Sequence, residues 1–148
     1  MDENIGTMLG QVSRLLRRSF DERVRGMGVT RPQWQVLGLL GRNPGSNQGA
    51  LAEMLEVEPI TLGRMIDRLQ EADLVERRAD PADRRAWRVH LTTKGEELVD
   101  MLRPSALETM ASALDGVSQA DRDVMSAVLE RMRANLSRRS PAEGVANL

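Results

Sequence analysis

Between Gly49 and Leu69 the apolar residues fall in two short sets: Leu51, Ala52 and Leu55, then Leu62, Met65, Ile66 and Leu69, with Val57-Glu58-Pro59 between them. Each set has the three-and-four spacing of one helix face. Asn47 or Ser46 supplies a cap for the first helix, and the second runs from about Ile60 to Ala72. Small and branched residues facing each other across so short a link describe two helices packed over a tight turn. That is the helix-turn-helix pattern.

The segment after these helices narrows the fold further. Leu74 to Arg78 and Trp87 to Leu91 read as strands, the second alternating Trp87, Val89 and Leu91 against Arg88 and His90. The turn chemistry of Ala79-Asp80-Pro81-Ala82-Asp83 joins them into one hairpin with a charged tip. A two-stranded hairpin is marginal alone, so it leans on the helices before it.

Long helices flank this core. Ile5, Met8, Leu9, Val12, Leu15, Leu16, Phe20, Val24 and Met27 place one helix from Asn4 to about Met27, ended by Gly26-Met27-Gly28. Thr30-Arg31-Pro32-Gln33 reads as a capping box opening a second helix, which Asn43-Pro44-Gly45 stops. Thr93 and Glu96, at capping-box spacing, start a helix with Leu98, Met101, Leu102, Leu107, Met110, Ala111 and Leu114, and Pro104 is expected to kink it. Gly116 ends that helix, and Ser118 caps a last one with Val124, Met125, Val128, Leu129, Met132 and Leu136 on its stripe. The expected fold is mainly α with a small β-hairpin. Residues 1–28 and 116–137 form dimerisation helices, 30–92 the helix-turn-helix core with its hairpin, 93–115 a connecting helix, and 138–148 a flexible tail.

Composition supports this. The 148 residues make one domain, or one plus a dimerisation element. Apolar residues are 41%, enough for a core, whereas aromatics at 2% argue against an all-β sandwich or barrel. No run approaches the roughly 18 apolar residues of a membrane span, and the acidic opening Met1-Asp2-Glu3-Asn4 is unlike a signal peptide. A cytoplasmic location is expected. Without cysteine there is no thiolate site, and the single histidine, His90, does not make an all-protein metal site. His90 sits on the polar face of its strand, where a solvated or phosphate-side role is the default. No Ser/His/Asp set or glycine-rich phosphate loop appears, so the expectation is no enzyme, no metal and no cofactor. The net charge of −1 gives no hint of a nucleic-acid partner. Any such partner has to be argued from where individual arginines sit.

Projecting the second short helix at about 100° per residue exposes Ile60, Thr61, Gly63, Arg64 and Arg68. A recognition helix needs such a set: an arginine for guanine, an apolar group for a thymine methyl, a hydroxyl for phosphate and a glycine for close approach. For an isolated pair of arginines the default is a solvated face, with Arg64 and Arg68 paired to Asp67 and Glu71. The hairpin changes that default, because Asp83-Arg84-Arg85 at the tip of a wing suits the narrow minor groove of A·T-rich DNA. Asp80 or Asp83 would then orient those guanidinium groups by salt bridging. The alternative for the tip is a charged, solubilising turn.

The run Leu51-Ala52-Glu53-Met54-Leu55-Glu56-Val57-Glu58-Pro59-Ile60-Thr61-Leu62-Gly63-Arg64-Met65-Ile66-Asp67-Arg68-Leu69, then Leu74-Val75-Glu76-Arg77, Asp80-Pro81-Ala82-Asp83-Arg84-Arg85-Ala86 and Leu91-Thr92-Thr93-Lys94-Gly95, resembles the MarR family of bacterial transcriptional regulators. The most specific elements are Asp83 and Arg85 of the wing and the Leu-Thr-x-x-Gly opening the next helix. The resemblance extends to about Leu136. It implies a winged helix-turn-helix fold whose terminal helices interlock with a second copy. It also implies a transcriptional regulator, expected to be a repressor, acting on double-stranded DNA. Arg64 is implied as a base or phosphate contact, Arg85 as the minor-groove residue with Asp83 its orienting partner, and Arg84 and Arg68 as phosphate contacts. Asn47 and Gln48 would present backbone donors to a phosphate.

A homodimer is also expected from the residues: the first and last apolar stripes exceed what one small domain covers, and a second copy buries them. Membrane association is the competing use, but the opposite faces carry mixed charge. Two-fold symmetry then predicts a pseudo-palindromic operator. Members of the family release DNA on binding small phenolic or carboxylate compounds, or on cysteine oxidation or zinc binding. Only a small organic effector, or none, fits this composition. Trp34 and Arg17 are candidate effector-binding residues, an aromatic wall and a guanidinium for a carboxylate, against the simpler reading of Trp34 as core and Arg17 as surface. A winged-helix protein–protein interaction module, or an effector-independent DNA-binding regulator, is the remaining alternative. Arg84 and Arg85 weigh against the interaction module.

Overall fold

A computed structural model describes residues 2–137 of the chain; the tail expected over 138–148 lies outside the described residues. The elements run α1 (Asp2–Val24), a short 3-10 turn (Arg25–Met27), α2 (Arg31–Arg42), α3 (Gln48–Leu55), α4 (Pro59–Glu71), β1 (Val75–Ala79), β2 (Trp87–Leu91), α5 (Thr93–Ala113) and α6 (Gln119–Ser137). They fall into two compact units that divide between Met110 and Ala111.

The core of the first unit joins Val36, Leu37 and Leu40 of α2, Leu51 and Ala52 of α3, Leu62, Ile66 and Leu69 of α4, and Leu74, Val75 and Val89 of the hairpin and its approach. These are the apolar positions of the helix-turn-helix and the inward positions of the strands, so the spacing of the sequence and the packing agree. The strands are antiparallel, with Val75 opposite Leu91, Arg77 opposite Val89 and Ala79 opposite Trp87. The first strand starts one residue later than expected: Leu74 belongs to the bend after Asp73. A further bridge ties Asn47 to Arg88, and the Val89 N–H donates to the Ser46 carbonyl at 2.9 Å. The hairpin is thus fastened to the segment that leads into α3.

Local chemistry sets the helix ends. Thr30 and Gln33 form the expected reciprocal capping box. Gly28, in the left-handed region at φ 73°, closes the 3-10 turn that replaces the last turn of α1. At the end of α3, Glu56 takes φ 55°, with its N–H donating to the Glu53 carbonyl and the Val57 N–H to the Ala52 carbonyl. This is a Schellman closure with glutamate where glycine is usual. Asp73 repeats it after α4 at φ 60°.

The start of α5 differs from expectation. Thr92, not Thr93, is the cap: its hydroxyl accepts from the Gly95 N–H at 3.0 Å and donates to the Asp73 carbonyl at 2.6 Å. A Cβ on Gly95 would lie 2.0 Å from the Leu74 carbonyl oxygen. The Leu-Thr-x-x-Gly element is therefore a junction that presses the first turn of α5 against the bend between α4 and β1, with no room for a side chain. α5 runs unbroken through Pro104.

In the second unit Ser118 caps α6 through the Asp121 N–H, and Arg122 donates to the carbonyls of Val117 and Leu114. No residue of α6 is buried, and Val124, Met125, Val128, Leu129 and Leu136 are exposed. On α1, Ile5, Met8, Val12 and Leu15 are likewise exposed. No helix among the described residues is long and apolar enough to cross a membrane.

Candidate nucleic-acid interface

α4 presents the face expected of it. Ile60, Thr61, Arg64 and Arg68 are exposed, while Leu62, Ile66 and Leu69 are buried beneath them. A Cβ on Gly63 would meet nothing within 4 Å, so its missing side chain is not a packing requirement; it keeps that patch of α4 low. Neither Arg64 nor Arg68 has an ion-pair partner among the described residues. Asp67, the partner a merely solvated face would give them, pairs instead with Arg77 at 2.7 Å.

Arg77 is the residue that sequence reasoning passed over. Its side chain reaches from β1 to α4 and α3 at once, donating to Gln48 Oε1 (2.6 Å), Gln70 Oε1 (3.1 Å) and the Gly63 carbonyl (3.1 Å), besides pairing with Asp67. A planar fork of five N–H donors suits such a junction. It fixes the hairpin against α4. The signal was available: in the alternation of β1 an arginine stands at an inward position, between Val75 and Ala79.

At the hairpin tip the aspartates act on backbone rather than on guanidinium. Asp83 Oδ1 accepts from the Arg85 N–H at 2.9 Å, which corrects the expected salt bridge: a short carboxylate captures the amide two residues on more readily than a long, solvated guanidinium. Asp80 accepts from the Ala82 N–H at 2.8 Å and pairs with Arg88 at 3.1 Å, so it does not orient Arg84 or Arg85 either. Those two bonds, the Ala82 amide first and Arg88 second, hold the Asp80 carboxyl below its ordinary pKa. The tip is a pinned loop from which Arg84 and Arg85 project, exposed and without an ion-pair partner among the described residues.

The N-terminus of α3 is partly occupied by its own residues. Asn47 Oδ1 takes the Ala50 N–H at 2.7 Å, and the Gln48 side chain is engaged by Arg77. Of the two, only their backbone groups suit the contact expected of them. His90 is half-buried rather than solvated: its imidazole Cε1 lies 3.0 Å from where a Cβ on Gly45 would be.

Arg17 and Trp34 line one cavity of about 450 Å³, with Leu16, Phe20, Arg42, Val99, Leu102 and Thr109 among its walls. Trp34 packs edge-on against Phe20 with ring centroids 4.7 Å apart, and its indole N–H donates to Asp21 at 2.6 Å. Asp21 also pairs with Arg31. Burial alone would raise the Asp21 pKa, but the bonds from Arg31 and Trp34 outweigh it and the value is lowered.

The MarR family profile matches residues 27–86, which span α2 to the hairpin tip. The crystal structure of the transcriptional regulator PA3341 is 34% identical, with a TM-score of 0.82 over 91% of this chain and 99% of that one. A MarR-family transcriptional regulator from Silicibacter pomeroyi is 27% identical, with a TM-score of 0.77 over 86% of each chain. The transcriptional regulator SlyA is 28% identical, with a TM-score of 0.76 over 90% of this chain and 94% of that one. With a two-stranded wing after a helix-turn-helix and exposed arginines on both, the chain belongs to the MarR family of winged-helix, DNA-binding transcriptional regulators.

Proposed function

We propose that the chain is a homodimeric repressor that reads a pseudo-palindromic operator, with α4 in the major groove and the hairpin tip in the adjacent minor groove, and that a small aromatic or phenolic acid releases it. One observation carries the DNA contact. Of the seven arginines from Arg64 to Arg88, Arg77, Arg78 and Arg88 are tied to Asp67, Glu76 and Asp80, whereas Arg64, Arg68, Arg84 and Arg85 have no ion pair among the described residues. The four unpaired ones are those on the outer face of α4 and at the tip. Arg64 with Ile60 reads base edges, Arg85 enters the minor groove, and Thr61, Arg68, Arg84 and the backbone at Asn47 and Gln48 hold phosphates.

The effector reading rests on the cavity that holds Arg17 and Trp34. Its aromatic and aliphatic walls suit a ring, and Arg17 and Arg42, which have no ion pair among the described residues, suit a carboxylate. An effector acts only through different affinities for dimer geometries that do and do not match the half-site spacing. Selecting duplexes from a randomised pool with the full chain tests the reading. It should enrich an inverted repeat with half-site centres about 10 bp apart, displaced by aromatic carboxylates; a pool that enriches no sequence contradicts it.

A further inference from the structure

Trp87 is not accounted for by the fold. It opens β2 immediately after the tip and is 49% exposed, although Val89, two residues on and on the same strand face, is fully buried. Its cross-strand partner is Ala79, too small to cover an indole. The next pair inward on that face is Arg77 with Val89, and Arg77 is the side chain that reaches α4. The hairpin face that meets α4 near its base therefore carries an uncovered indole near its tip, between the clamp and Arg85. The indole N–H has no acceptor among the described residues.

A duplex with α4 in one groove and the tip in the next must lead one sugar–phosphate strand across the surface between them, because that strand is what separates the grooves. We infer that Trp87 packs its ring on a deoxyribose of this strand and donates its indole N–H to a phosphate oxygen. The inference rests on the DNA-binding reading above. Tryptophan suits the position: an apolar body with one donor matches a sugar beside an anionic oxygen. Such a contact fixes the height and tilt of the wing over the duplex and carries no sequence information. It also differs in kind from the arginines, since it adds affinity without releasing a counterion.

Titrating the selected duplex into the wild-type chain and into Trp87→Phe separates the indole from Trp34, the only other tryptophan. Quenching should be strong in the wild type and largely lost in the variant; equal quenching in both overturns the inference. Trp87→Ala, at a half-exposed site opposite alanine, should fold normally and bind about tenfold more weakly. The loss should be the same on selected and scrambled duplexes, with an unchanged salt slope. Unchanged affinity for Trp87→Ala while Arg85→Ala binds weakly overturns the Trp87 contact alone, as does a slope that flattens as it does for Arg85→Ala. A wild-type chain that binds no duplex overturns the DNA reading with it.

Discussion

Carboxylates that face arginines in this chain do two different jobs. Asp67, Glu76 and Asp80 neutralise three guanidinium groups, while Asp83 spends its acceptor on the Arg85 amide and leaves the charge of Arg85 outward. Asp21 works for the fold. Its pKa is lowered in the folded chain, so its contribution is complete above the ordinary aspartate value of 3.8 and is lost as the pH falls through the lower folded value. Thermal melts of Asp21→Asn should thus lie below wild type at pH 7, with a gap that is flat down to about pH 4 and narrows in stronger acid. A gap independent of pH would show that the charge of Asp21 is not what is lost. Backbone strain gives a second expectation. Glu56 sits in the left-handed region without a glycine's freedom, so Glu56→Gly should raise stability by about 1 kcal/mol in urea unfolding. Gly95→Ala should do the reverse, by about 2 kcal/mol or more, since its Cβ has nowhere to go beside the Leu74 carbonyl.

At the level of elements, the helix-turn-helix, the wing and most caps were legible because their signals are local: Asn47 before α3, Thr30 with Gln33, glycine at 28 and 116, strict alternation in β2. The Arg77 clamp was not: the alternation of β1 marks Arg77 as inward, but its partners lie 29, 14 and 7 positions away, and no local pattern names them. The role of Asp83 was misassigned for the opposite reason: a very local side-chain-to-backbone bond competes with the more conspicuous charge pairing. Arg77→Gln removes the Asp67 pairing and the fork that spans α3, α4 and β1, so the angle between recognition helix and wing loosens. Operator affinity should fall although Arg77 touches no DNA, and hydrogen exchange at the hairpin amides should quicken. Weak binding with unchanged exchange would make Arg77 a direct contact instead.

For the whole molecule, the exposed stripes on α1 and α6 are the surfaces expected to meet a second copy. Leu15→Glu with Val128→Glu places charges in both and should shift sedimentation to the monomer and abolish tight operator binding; a dimer that persists would move the interface elsewhere. The net charge of −1 looks discouraging for a DNA-binding protein. Pairing resolves this, since among the described residues from Arg64 to Arg88 it leaves four guanidinium groups without an ion pair, at two defined places, while the near-neutral charge of the chain keeps non-specific binding weak. Fluorescence anisotropy of the selected duplex against salt, for wild type, Arg64→Ala and Arg85→Ala, measures the central claim directly. Each substitution should weaken binding by about 1–3 kcal/mol and flatten the salt slope, with Arg64→Ala alone relaxing sequence preference. Affinity and slope unchanged in both variants would contradict it.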